Sequence, residues 1–396
     1  MTHLVLRARR VVCCGTGRDG PATISIRDGR VASVVDHWVS GELASGQSTG
    51  DAEQGGRGRQ IIDLETGVLC PGLVDLHAHV DTSGQSRFGV CPDQFLLPTG
   101  ATTIGSQGDV GAWGVALYQS QTIARSTARI RLAINLSAIG ESDVRGSFAV
   151  PEHSDIDACV AAVSRHRDAI WAIAVNVSHH ACGQTSPHDV LQSGLAVAAQ
   201  TELPLLVGLR RPEDWPLRDQ LNLLRQGDVV TYCYRREPHC FVDFERRVVL
   251  PEVRHARERG VVFDVGHGRG SFDFGTAEIA IADGFPPDTI SSDFQVGHLE
   301  DAIPHSLLRT MAKLEVAGMT WKETLAATTD TPAHLLTTTA DEAPFGRLIV
   351  GGSADFVVLS DPPAATNLFD HAGESRDGRL RGVELVVSQG TVIGRS

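Results

Sequence analysis

The sequence predicts an α/β fold, a (β/α)8 TIM-like barrel with a small β-sandwich domain formed by the N- and C-terminal segments. Three observations carry this. Both ends of the 396-residue chain alternate between apolar and polar residues in short runs separated by tight-turn residues. The long stretch between them alternates apolar strands with amphipathic helices. Eight such strands with helices between them match the size and repeat of a β/α barrel. The expected division is 1–66 plus 345–396 for the sandwich and 67–344 for the barrel.

At the N-terminal end, LVLRARR and ATISIRDGRVASVV read as strands, with Asp28-Gly29 turning one onto the next. Residues 40–59 are polar and glycine-rich and are expected to be a surface loop. The candidate barrel strands are Val68–Leu76, Thr102–Ser106, Ile130–Ser137, Ile170–Val177, Leu203–Leu209, Val229–Tyr234, Val261–Val265 and Thr289–Asp293. Helices are expected at 307–317 and 320–338, the latter opened by a capping box of Thr320 and Glu323. GRLIVGGSADFVVLSD and GVELVVSQGTVIG return to short strands, so the chain leaves the small sheet and comes back to it.

Composition narrows the function classes. Apolar residues are 42% and charged residues 21% of the chain, as in ordinary folded proteins. The net charge of −13 argues against a general nucleic-acid binder, which needs a basic face. No apolar run reaches the ~20 residues of a membrane span, and no signal-peptide pattern opens the chain. A cytoplasmic protein is expected, with reduced thiols at its eight scattered cysteines. The only lysines are Lys313 and Lys322.

The segment ending in Leu76-His77-Ala78-His79 carries the sharpest chemistry. A strand has a side-chain period of two, so both imidazoles fall on one side of the backbone and can share a metal ion at the C-terminal rim of a barrel. A pair of surface histidines at a strand end is the plain alternative. His267, between Gly266 and Gly268, lies after the seventh strand; glycines let such a loop approach a ligand, and His267 is expected to polarise substrate or move a proton. Arg210 and Arg211 follow the fifth strand, and Arg235 and Arg236 follow the sixth beside Tyr232 and Tyr234. They could form a wall for a carboxylated aromatic molecule, or be solvated loop arginines. Arg210, Tyr232, Arg235, Arg269 and Asn176 are the expected substrate-binding residues.

The lead-in PGLVDLHAH, the flank GRLIVGGSADFVVL and the stretch VLPEVRHARERGVVFDVGHGRGSFDFGTAEIAIADGFPPDTISSD together resemble the amidohydrolase superfamily, in its deacetylase or dihydroorotase-like branch. The resemblance spans nearly the whole chain. It implies a metal held by His77, His79 and Asp293, with Asp293 also moving protons; a helix N-cap is the structural alternative for Asp293. It also exposes departures. The bridging lysine of two-metal members falls on Ala174, and the two further histidines fall on Gly208 and Tyr232. Both lysines lie beyond Asp293, so none is placed to become the bridge. The expectation is one divalent ion, zinc by ligand type, with His179, His180, Cys182 or Cys233 as possible fourth ligands.

Three functions follow from that stripped site. The leading one is ring closure with loss of water, as in benzoxazole-forming, amidohydrolase-like proteins of natural-product biosynthesis. The second is mononuclear hydrolysis of an amide or cyclic amide, and the third a non-catalytic binding protein. The expected partner is a small molecule, with no nucleic acid and no membrane, and a homo-oligomer is possible.

Overall fold

The computed structural model describes residues 3–38, 59–360 and 365–395. Except for Arg59, the glycine-rich stretch at 40–59 lies outside the described residues.

Seven parallel strands run in the order Val262–Phe263, Val229–Val230, Leu205–Gly208, Ile170–Asn176, Arg129–Asn135, Ala101–Gln107 and Leu73–Ala78. The segment 289–294 joins the two edges. On one side Val265 N–H and His267 N–H donate to the carbonyls of Thr289 and Ser291, at 3.1 and 3.2 Å. On the other, Asp293 N–H reaches the His77 carbonyl at 2.7 Å and His79 N–H reaches the Phe294 carbonyl at 2.8 Å. The eighth expected strand is therefore a bridged segment rather than a regular ladder. The sixth and seventh strands are only two residues long, shorter than the apolar runs implied. Beyond them the chain leaves the ladder, and Tyr232 takes a left-handed φ of 67°.

The first expected strand, Val68–Leu76, divides in two. Val68–Pro71 pairs antiparallel with Phe356–Leu359 in the flank sheet, while Leu73–Ala78 enters the barrel. Gly72 is the hinge between the two sheets, because a Cβ there would lie 2.0 Å from Thr102 Oγ1.

Both chain ends meet in one eight-stranded sheet containing His3–Cys13, Arg18–Arg27, Arg30–Val35, Gln60–Leu64, Val68–Pro71, Phe356–Leu359, Val383–Ser388 and Thr391–Arg395. The hairpin turn at Asp28-Gly29 has φ of 49° and 76°, the left-handed pair that joins twisted strands without splaying them. Alternation assigns the two faces. Leu4, Leu6, Ile24, Phe356, Val358 and Leu385 share a core of their own, so the sheet folds over on itself. Val68, Cys70, Val357, Leu359 and Val386 belong to the barrel's core.

The helix expected over 320–338 is two helices, Trp321–Ala326 and Asp330–Leu336. The capping box at Thr320 and Glu323 is present. Pro332 has no N–H for the Thr328 carbonyl, and the freed carbonyls of Ala327 and Thr328 accept instead from Ile290 and Val74 of the barrel. All eight cysteines are free thiols. Among the described residues no helix is long and apolar enough to cross a membrane.

Candidate metal centre

His77 and His79 close the first barrel strand, and Asp293 opens the loop beyond the eighth segment. The Asp293 N–H bond to the His77 carbonyl ties the two together. Asp293 Oδ1 lies 3.3 Å from the Nε2 of each histidine. All three residues are at most 5% exposed, and one potential ligand atom from each lies within 4.8 Å of the others.

The hydrogen-bond directions decide what this cluster can hold. His79 Nδ1 faces Asp109 Oδ1 at 3.1 Å; a carboxylate only accepts, so the proton sits on Nδ1. His77 Nδ1 faces Thr231 Oγ1 at 2.9 Å, and that hydroxyl already donates to Asp264 Oδ2 at 2.9 Å, so His77 Nδ1–H is again the donor. When the rings are neutral, both Nε2 lone pairs therefore face a carboxylate oxygen, an arrangement that needs a cation between them. His77 Nε2 and Asp293 Oδ1 are buried without a hydrogen-bond partner. Three convergent acceptors, two of them orphaned, fit a cation, and histidines oriented through Nδ1 are the usual support of metal ligands.

Electrostatics agrees. Burial works against a charged His77, yet the carboxylates of Asp293 and Asp264 hold its pKa up to about 9, and His79 is likewise raised against burial by Asp109 and Asp293. Burial alone would raise Asp293, but the two imidazoles keep it well below the usual carboxylate range. Without a metal, protons occupy the space between these groups.

Asp264 anchors the rear of the site. Fully buried, it accepts hydroxyls from Thr231, Thr289 and Ser291 and so links three barrel strands. Asp109 accepts Val80 N–H and Ser106 Oγ as well as His79. Asp109, Thr231 and Asp264 were not among the sequence-derived site residues. The sequence offers only weak signals for them, a strand-end Gly-Asp and the Asp of DVGHG.

The backbone is strained where the cluster forms. Tyr232 and Asp293 both have left-handed φ, 67° and 47°, which costs of order 1–3 kcal/mol each and is held only by surrounding structure. Gly266 and Gly268 make room for it. A Cβ on Gly266 would lie 2.1 Å from Thr231 Oγ1, and one on Gly268 would lie 2.4 Å from Asp293 Oδ2.

Those glycines correct the expectation for His267. They let the loop approach the metal ligands, but the imidazole between them turns the other way. Its Nδ1–H donates to the Gly268 carbonyl at 2.8 Å, and its Nε2 meets Lys313 Nζ at 2.7 Å. It lines a separate cavity behind Asp293.

In front of the cluster lies a cavity of about 1040 Å³. Of the expected substrate-binding residues, Asn176, Tyr232, Arg235 and Arg269 line it. Arg210 does not: its guanidinium is held by Asp214 at 2.7 Å and His179 at 3.1 Å, and the wall at this point is Arg211. Arg87 and Arg145 were missed because nothing local marks the loops after the first and third strands as pocket-forming. His179 and His180 line the cavity but do not join the cation cluster; Cys182 Sγ turns to the Asn176 carbonyl and Cys233 is buried in the core.

The positions where a second ion would need ligands are filled by other groups. Ala174 is buried in an apolar cluster, a Cβ at Gly208 would meet Asn176 at 2.9 Å, and the Tyr232 ring centroid stands 5.4 Å from that of His77. Among the described residues, one group of three or more His, Cys, Asp or Glu side chains can hold a metal.

This barrel and acceptor cluster define the architecture of a metal-dependent hydrolase, and comparison with known proteins agrees. No family model matches the chain. A protein of Agrobacterium fabrum named as a deacetylase is 30% identical over 340 residues, covering 84% of this chain and 80% of the relative. A deacetylase of Brucella anthropi is 30% identical over 81% of this chain and 78% of its own. The crystal structure of an adenine deaminase superposes with a TM-score of 0.84 over 99% of both chains at 22% identity, a likeness of fold. The chain belongs to the amidohydrolase superfamily.

Proposed function

We propose that the protein is a mononuclear, metal-dependent amide hydrolase of the deacetylase type, acting on a small acylated molecule that carries an anionic group. The convergence of His77 Nε2, His79 Nε2 and Asp293 Oδ1, with Asp293 lining an arginine-rimmed cavity, carries this reading. The relatives' printed activity is deacetylation, and this favours hydrolysis over the ring closure expected from the sequence.

His77, His79 and Asp293 would hold the ion, and zinc suits two imidazoles and a carboxylate. A divalent ion there supplies Lewis acidity and brings the pKa of water toward neutrality. The protein does the rest. Asp293 stays ionised near neutral pH, so its carboxylate can take a proton from the attacking water and return it to the departing amine nitrogen. Burial holds the Tyr232 phenol well above its usual pKa, so it remains a donor for the oxyanion that develops on the amide carbonyl. Thr231 and Asp264 keep the His77 ring in one orientation.

The rim selects the substrate. Arg87, Arg145, Arg211, Arg235 and Arg269 gather at the mouth of a chain whose net charge is −13. Arg235 lies 4.9 Å over the Tyr232 ring, with its buried Nε unpartnered. A planar donor fork beside an aromatic face suits a carboxylate on the substrate.

Incubation with N-acetylated amino acids and acetylated aromatic amines tests the proposal: free acetate and free amine should appear, with product mass accounting for one added water. A product lighter than the substrate by one water would favour ring closure instead. Arg235→Gln should raise KM for a carboxylated substrate about tenfold or more with little change in kcat, since it removes a charge-assisted contact. An unchanged KM would remove Arg235 from substrate binding.

A further inference from the structure

The loops that support the cation cluster have a second face. Behind Asp293 lies a separate cavity of about 360 Å³, lined by His267, His298, Arg269, Arg309 and Lys313 among others. The mechanism above uses none of these except Arg269, which reaches both cavities.

Lys313 and Arg309 stand four residues apart on the helix Leu307–Val316, so both long side chains lie on one face. Lys313 is 4% exposed, and its one hydrogen bond among the described residues goes to His267 Nε2 at 2.7 Å. His267 Nδ1–H is committed to the Gly268 carbonyl, which leaves Nε2 as an acceptor and Lys313 as the donor. Asp370 is the acid whose charge reaches Lys313, but its carboxylate accepts the backbone N–H groups of Phe274, Ala372 and Glu374. Arg309 donates its Nε to the Pro304 carbonyl, and nothing offsets its partial burial.

His298 supplies an independent observation. Its Nδ1 accepts the Gln295 N–H at 3.1 Å, so the ring proton is on Nε2. That atom is buried and has no partner at hydrogen-bond geometry; the Gly268 carbonyl, which accepts from His267, lies beside it. Arg269 is balanced by Asp301 at 3.2 Å. The lining thus holds an ammonium and a guanidinium, each with one neutral acceptor, and an imidazole N–H with none. Buried donors left this way are costly unless something accepts from them.

We propose that this cavity is a second ligand site, separate from the cation centre, which binds a small oxyanion, phosphate or carboxylate, between Lys313, Arg309 and His298 Nε2. The charges around Lys313 support it: burial and Arg309 lower its pKa to about 7, Asp370 offsets this only in part, and a bound anion would hold the ammonium charged.

The two-lysine composition makes the test direct. Protein labelled with 13C-lysine should give two side-chain signals, assigned with Lys322→Arg. Sodium phosphate and sodium acetate are titrated separately at fixed pH and ionic strength, with chloride as the control. The Lys313 signal should move and saturate with at least one anion while Lys322 stays still, and Arg309→Gln should weaken that response at least about tenfold with its melting temperature unchanged. Saturation by phosphate alone assigns a phosphate-type ligand, by acetate alone a carboxylate, and by both a general oxyanion site. His77→Ala, which disables the cation centre, should leave the response intact. A Lys313 signal that stays still with both anions, or a response shared equally by Lys322, unaffected by Arg309→Gln or abolished by His77→Ala, would overturn the proposal.

Discussion

Thr231 shows how much of the centre depends on groups outside the cation cluster itself. Its hydroxyl accepts from His77 and donates to Asp264. Thr231→Val keeps the shape but ends the relay, and should weaken zinc affinity about 10–100-fold while the protein remains folded; competition against a chelator would measure it, and an unchanged affinity would separate Thr231 from the site. Gly268→Ala places a Cβ against Asp293 and forces a non-glycine residue to φ near 50°. It should lower stability by about 1–3 kcal/mol and impair metal retention. Lys313 sets a pH dependence. Its folded pKa of about 7 lies below the ordinary 10.5, so between those values the unfolded chain binds a proton that the folded chain has released. Stability should rise with pH across that window, and Lys313→Met should flatten the slope in denaturant unfolding. At this scale the sequence is legible where spacing is local: His77-x-His79 and the Asp that ends Ile290-Ser-Ser-Asp293 meet in the structure. Their supports are not, because the Thr231 contact spans 154 residues and the Asp109 contact spans 30. Nor could glycines on both sides of His267 say which of its neighbours they serve.

Among the elements, apolar runs located each strand but not its length. The sixth and seventh strands stop after two residues because the chain must turn Tyr232 and Gly266 into left-handed conformations beside Thr231. The helix expected at 320–338 breaks ahead of Pro332, which cannot donate to the Thr328 carbonyl, and barrel N–H groups take the carbonyls at 327 and 328. Gly72 is an exacting point at the change of sheet. Gly72→Ala would drive a methyl into Thr102 at the junction of the two sheets, and should destabilise the protein by about 1–3 kcal/mol. A melting temperature unchanged from the parent would show that the junction can relax.

For the molecule as a whole, the order of strands, helices and returning flank was written plainly in the hydrophobic pattern. The division of Val68–Leu76 between two sheets was not, since a continuous apolar run gives no sign of where its partner changes. The same limit applies to chemistry. A family frame with Ala174, Gly208 and Tyr232 where further ligands would stand leaves three acceptors from distant parts of the chain as the cation site. Metal analysis of the purified protein, beside its His77→Ala variant, tests that most directly. One divalent ion per parent chain, lost from the folded variant, is the predicted result; two ions per chain, none, or a variant that retains its metal would contradict it.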